Sequence, residues 1–250
     1  MRRLTVSGLT MEVPGRRLLD GLDLMVGKGD CLAVMGPSGS GKTSLLNALC
    51  GITVPAAGTV ILDGTDLSRL KAGARADFRL RHIGLVFQFG ELLPELSVLE
   101  NVSLPLRLAG TKRAEAERRA ADWLDRVGLS AHAAKHPEAL SGGEVQRAGI
   151  ARALCHGPGL VLADEPTGAL DEVNAELVTG LLVEQAKALG AAVVIATHDL
   201  TVAARADRVL RLRDGQLETS GERPRVLPLL DTVPDVGATT ETTIASRRSS

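Results

Sequence analysis

Gly36-Pro37-Ser38-Gly39-Ser40-Gly41-Lys42-Thr43 meets every position of the phosphate-binding pattern G-x-x-x-x-G-K-[ST]. The chemistry this arrangement serves is the gripping of a nucleotide polyphosphate. Gly36, Gly39 and Gly41 allow tight turns that aim successive N–H groups at phosphate oxygens. Lys42 supplies a point charge for the β- and γ-phosphates, and Thr43, followed by Ser44, offers a hydroxyl to the Mg²⁺ that accompanies the nucleotide. Further on, the apolar run Leu160-Val161-Leu162-Ala163 leads into Asp164 and Glu165. Adjacent acids at a strand end can divide their work, Asp164 holding Mg²⁺ through its water shell and Glu165 acting as general base for an attacking water. A helix N-cap would account for one of these acids and leave the other unexplained. Gln88, just after the apolar stretch 83–87, is placed to reach Mg²⁺ or the water with its amide. His198, in Thr197-His198-Asp199, stands at a matching strand end, from which it can donate to the γ-phosphate.

The elements that must position these residues can be read from periodicity. Residues 31–35 form a short apolar strand before the glycine loop, and 43–50 a helix packing through Leu45, Leu46 and Leu49. Residues 3–26 alternate apolar and polar positions, as antiparallel strands do, and Thr59-Val60-Ile61-Leu62 before Asp63-Gly64 predicts another strand and turn. Residues 90–155 turn helical, with Ala116, Ala120, Trp123, Leu124 and Val127 on one face. Strands at 160–163 and 192–196, separated by a helix of about 20 residues, have the spacing of a parallel βαβ unit, and 209–217 closes the core. The expected fold is therefore α/β, a mostly parallel sheet with an N-terminal antiparallel β subdomain and an α-helical subdomain. From about residue 219 the chain is rich in Pro, Thr, Ser and Arg, which predicts a disordered tail over 219–250.

Composition narrows the function. A net charge of -1 argues against a nucleic-acid surface. Cys31, Cys50 and Cys155 have no metal-ligand spacing and read as reduced core thiols. No stretch approaches the ~18 apolar residues of a membrane helix, so a membrane role would come through a partner. Ser141-Gly142-Gly143-Glu144 reads as a helix start whose Ser141 caps and whose glycines expose N–H groups, a second anion cradle.

Taken in order, the phosphate loop, Gln88, Leu140-Ser141-Gly142-Gly143-Glu144-Val145-Gln146-Arg147, Asp164-Glu165-Pro166, Gly168-Ala169-Leu170-Asp171 and His198 resemble the nucleotide-binding subunits of ABC transporters over residues 1–218. The stretches Gly84-Leu85-Val86-Phe87-Gln88-Phe89-Gly90-Glu91-Leu92-Leu93-Pro94 and Leu99-Glu100-Asn101-Val102 look like the lipoprotein-releasing and macrolide-export group. The resemblance implies the P-loop ABC ATPase core and an ATPase using Mg-ATP. It also implies a head-to-tail homodimer in which Ser141 and Gly143 of one copy reach the γ-phosphate held by Lys42 of the other, with Asp171 linking the two sites. It further implies integral-membrane permease subunits contacted through the loop after Gln88 with Leu92, Leu93 and Leu96, and a place at the cytoplasmic face of the membrane. An adaptor acting on cell-wall or division machinery through a membrane partner uses the same ATPase parts and stays open. A soluble cassette acting on DNA or ribosomes is disfavoured by the absence of duplication, a coiled-coil insertion or a basic surface. The chain departs from the family in one place. It has no tyrosine, and Val13 stands where an aromatic residue usually stacks on adenine, so aliphatic packing of the base is expected.

Overall fold

In the computed structural model, residues 2–219 of the 250 are described. The tail expected from residue 219 onward, apart from Thr219 itself, lies outside them. Two sheets organise the chain. The first is antiparallel and built from β1 (Arg2–Val13), β2 (Arg16–Gly27), β4 (Ala57–Leu62) and the short β5 (Thr65–Asp66), in the order β2-β1-β4-β5. The alternation read from the sequence is its physical basis, with Leu4, Val6 and Leu9 of β1 and Leu22, Leu24 and Val26 of β2 all buried.

The second sheet contains β3 (Cys31–Met35), β6 (Ile83–Val86), β7 (Leu160–Asp164), β8 (Ala192–Thr197), β9 (Arg208–Arg213) and β10 (Gln216–Thr219), ordered β10-β9-β3-β8-β7-β6. All neighbours in it are parallel except β10, which returns antiparallel along β9. The segment 209–217 is thus a hairpin, split at Asp214-Gly215, where both residues have positive φ. Strands β3, β7 and β8 are buried on both faces, which is why they read as unbroken apolar runs. Their alternate residues divide two apolar cores. Cys31, Ala33, Val161, Ala163, Val193 and Ile195 face the helical side, whereas Leu32, Val34, Leu160, Leu162 and Val194 face the antiparallel sheet.

Helix α1 (Lys42–Leu49) packs Leu45, Leu46 and Leu49 into the second core. Helix α2 (Ala72–His82) buries no residue. The helical layer consists of α3 (Val98–Leu108), α4 (Arg113–Arg126) and α5 (Gly142–Leu154), followed by α6 (Glu172–Ala188) and the short α7 (Leu200–Ala204). Trp123 lies in this layer, nearly buried, with the Arg126 guanidinium 5.0 Å above its ring. Helices α3 and α5 both start at capping boxes, Ser97 with Glu100 and Ser141 with Glu144. The cysteines are buried and free.

Candidate functional site

Strand β3 feeds the glycine loop, and α1 leaves it at Lys42. A Cβ on Gly36 would lie 2.6 Å from both the Leu212 carbonyl oxygen and Ser40 Oγ, so only glycine passes there. Gly41 precedes the helix at φ 102°, a conformation open to residues without a Cβ. No side chain caps α1, which leaves the N–H groups of its first turn for an anion and adds the positive end of the helix dipole. Lys42, only 7% exposed, folds back so that Nζ donates to the carbonyl oxygens of Gly36 at 2.8 Å and Pro37 at 3.3 Å. That places a cation inside the concavity of the loop.

The carboxylates end β7 and meet this loop. Thr43 Oγ1 donates to Asp164 Oδ2 at 2.7 Å, and both residues line a cavity of about 210 Å³ with Asn47 and Phe87. Glu165 adopts φ 45°, a left-handed conformation that costs a non-glycine residue about 1–2 kcal/mol. The turn swings its carboxylate off the strand line, so that Oε1 lies 3.4 Å from Lys42 Nζ and Oε2 lies 2.9 Å from His198 Nδ1. In the tautomer with its proton on Nδ1, His198 donates to Glu165, and the His198 backbone N–H makes a longer bond to the same oxygen at 3.4 Å. One carboxylate therefore joins residues carried by α1, β7 and the loop after β8. His198 also borders a second cavity of about 400 Å³ beside Gly36 and Pro37, walled by Arg211 and Arg213. Neither acid caps α6. Asp171 does, accepting from the Asn174 N–H at 2.9 Å.

Hard oxygen donors such as Thr43 Oγ1 and Asp164 Oδ2 suit Mg²⁺, which takes one or two protein oxygens and completes its shell with phosphate and water. Gln88 is not among the residues lining the cavity shared by this pair and makes no hydrogen bond among the described residues. Its amide packs on Gly168, where a Cβ would come within 2.7 Å of Nε2. The loop after Gln88 is anchored to α5 instead. Gln146 Nε2 donates to the Phe87 carbonyl at 2.8 Å, and Arg152 donates to the carbonyls of Gly90 and Glu91 at 2.8 and 2.6 Å. Beyond it, Asn101 holds the chain, its Oδ1 accepting from Leu93 N–H and its Nδ2 donating to the carbonyls of Leu93, Leu96 and Ser97. Of the three leucines, Leu92 packs on the helical core and Leu93 is exposed.

Ser141, Gly142 and Gly143 do not join the phosphate loop of the same chain. Gly142 faces Leu170 and Gly143 faces Asn174, so this helix start adjoins the Asp171 segment. Glu144 accepts from Ser141 N–H at 2.8 Å and from Ser141 Oγ at 2.9 Å. Those bonds, the backbone one first, hold its carboxyl below the usual range, and His132 Nε2 stands 3.4 Å away. The Ser-x-x-Glu spacing that signals this box is visible in the sequence, whereas Asn101 stands out only as part of the family-like stretch 99–102 and nothing local marks Asn174. Val13 sits exposed at the end of β1.

Residues 19–168 match the ABC transporter family. The chain is 48% identical over 200 residues to the lipoprotein-releasing system ATP-binding protein LolD of Legionella pneumophila (strain Paris), covering 80% of this chain and 88% of that relative. It is 48% identical over 201 residues to LolD 2 of Caulobacter vibrioides, with the same coverage. Among solved structures it resembles the ATP-binding cassette MJ0796 in a dimeric post-hydrolysis state bound to ADP and Pi, at 34% identity and a TM-score of 0.79, covering 90% of this chain and 100% of the other. Cassette cbiO1 of Clostridium perfringens, part of the transporter complex cbiONQ, superposes with a TM-score of 0.79 at 29% identity, covering 87% of each chain. A phosphate loop under a strand-end acid pair, with this fold and these relatives, places the chain in the ABC transporter family as an ATP-binding, ATP-hydrolysing cassette.

Proposed function

We propose that this chain is the ATPase subunit of a lipoprotein-releasing type of ABC transporter, bound peripherally to a separate membrane permease and working as a head-to-tail homodimer. The observation that carries the chemistry is the Glu165 carboxylate held between Lys42 and His198 above a loop shaped for phosphates. In this reading the glycine loop and the α1 N-terminus bind the β- and γ-phosphates, and Lys42 neutralises their charge. Thr43 and Asp164 hold Mg²⁺, with Gln88 moving in from Gly168. Bound Mg²⁺ would neutralise phosphate charge and orient the γ-phosphate. Glu165 orients the attacking water and takes up its proton, and His198 donates its one ring N–H either to that carboxylate, fixing it, or, with the proton on the other nitrogen, to the γ-phosphate. The donors around Glu165 fix where its carboxylate points, which serves the orienting of the water.

The two-copy site is supported by the position of Ser141, Gly142 and Gly143 away from the phosphate loop of their own chain, and by the dimeric state of the MJ0796 cassette. The type of permease rests on relatives 43–48% identical that carry the lipoprotein-releasing name. Among the described residues no helix is long and apolar enough to cross a membrane. Purifying the tagged chain from solubilised membranes tests the assignment. The expected companion is a permease with a large extracytoplasmic domain and ATPase activity that responds to lipoprotein. Recovery with a cell-wall hydrolase regulator, and no lipoprotein response, would favour the adaptor reading.

A further inference from the structure

Asn174 touches both elements that the two-copy reading sends to the partner. It occupies the first turn of α6, where its N–H donates to Asp171 Oδ1 at 2.9 Å and its Nδ2 donates to Asp171 Oδ2 at 2.7 Å. Both oxygens of that carboxylate are therefore taken by one residue. The other end of the same amide lies against α5, with Oδ1 3.2 Å from the point where a Cβ on Gly143 would sit. Glycine at 143 is what lets the amide come so close. Leu170 makes the neighbouring contact, its Cδ2 3.7 Å from the corresponding point on Gly142. The Asn174 backbone bond, then its side-chain bond, hold the Asp171 carboxyl below its ordinary range.

We infer that Asn174 is a positioning residue that locks the Ser141-Gly142-Gly143 turn and Asp171 into one partner-facing unit. The inference rests on the proposed head-to-tail dimer. Its chemistry requires an amide. A carboxylate at 174 would face the Asp171 carboxylate across a hydrogen-bond distance and repel it, and an alanine would free both Asp171 Oδ2 and the space beside Gly143. When Asn174 links the two, a phosphate drawn against the Gly143 N–H moves Asp171 with it, so occupancy of one cradle is felt at the residue expected to report to the other.

A merely structural residue in the first helical turn behaves differently. Acidic residues are favoured there by the helix dipole, but an aspartate at 174 also meets the Asp171 carboxylate, so if capping is the whole role Asn174→Asp should move the melting temperature and leave ATP-driven dimerisation unchanged. The positioning role predicts that both Asn174→Ala and Asn174→Asp, each made in the hydrolysis-blocked Glu165→Gln chain, raise the ATP concentration for half-dimerisation about tenfold or more. That is the size of one charge-assisted hydrogen bond. Binding of a fluorescent ATP analogue to the dilute, monomeric chain should change less than about twofold, which corresponds to under ~0.5 kcal/mol. Sedimentation at stepped ATP concentrations reads the first quantity and analogue titration the second. Unchanged dimerisation in Asn174→Asp overturns the role of Asn174 and leaves the dimer intact. Equal losses in dimerisation, monomer binding and melting temperature overturn it as well, by showing general damage. Failure of the Glu165→Gln chain itself to dimerise with ATP removes the two-copy reading and this inference together.

Discussion

Thr43 and Asp164 are 121 residues apart in the chain and share a hydrogen bond of 2.7 Å. The contact joins the first turn of α1 to the end of β7 and aligns two hard oxygens on one cavity. Asp164→Asn preserves shape and removes the charge. The Mg²⁺ concentration for half-maximal ATPase should rise about 10–100-fold, with a smaller rise for Thr43→Ala. Titration of activity with Mg²⁺ at saturating ATP measures both.

Glu165→Gln keeps the hydrogen-bonding shape but cannot accept a proton. Turnover should fall by roughly 10²–10⁴, while ATP binding by the monomer persists because the loop and Lys42 are untouched. Single-turnover hydrolysis alongside equilibrium binding separates the two. Undiminished turnover would remove Glu165 as the base.

Asn101 has no exposed surface and ties down the loop after Gln88 through Leu93, Leu96 and Ser97. Asn101→Ala orphans several of those backbone groups at about 1–3 kcal/mol each. With at least ~2 kcal/mol lost, the Tm should drop by about 4 °C or more for a chain of this size. Hydrogen exchange in residues 90–97 should rise more than in β3 or β8.

His156 follows α5, and burial, against a weaker pull from the Ile83 backbone, pushes its imidazole down to about 4. Because the unfolded chain takes up this proton near pH 6.5 and the folded one near 4, stability is full above ~6.5 and declines as pH falls through that window. The decline amounts to about 3 kcal/mol. Urea unfolding between about pH 7 and pH 5 should show a shallower loss for His156→Phe than for the parent chain.

Burial pushes the thiols of Cys31 and Cys155 up to about 12, and Cys50 is raised for the same reason. A thiol-specific reagent should therefore label none of them in the native chain within minutes and all of them after denaturation. Rapid native labelling would mean that the packing around β3 or α5 opens.

The parts of the candidate site were legible because each is a short, local signal. A glycine loop between an apolar strand and a helix, or two acids ending an apolar run, declares itself within ten residues. Their convergence was legible only from the order of parallel strands. What could not be read were contacts made by side-chain geometry across the chain, such as Glu165 reaching both Lys42 and His198, or Asn174 reaching Gly143. Helix α2 left no trace because none of its residues is fully buried; Phe78 rests half-buried on the second core, and one such contact makes no apolar stripe. The split of 209–217 into β9 and β10 is marked in the sequence by Asp214-Gly215 between Arg213 and Gln216, a hairpin signal that a single closing segment passes over. The antiparallel sheet showed its alternation, but β1 pairs with β2 and β4 through several register shifts, and these depend on partners far along the chain.

The placement of Trp123 gives the protein a built-in optical gauge. It is the chain's one tryptophan and there is no tyrosine, so ultraviolet emission comes from α4 and, with Arg126 resting on the indole, reports the helical arm alone. A change in colour or intensity on adding nucleotide would be a signal carried from the glycine loop to that arm, free of any contribution from an aromatic side chain stacked on the base.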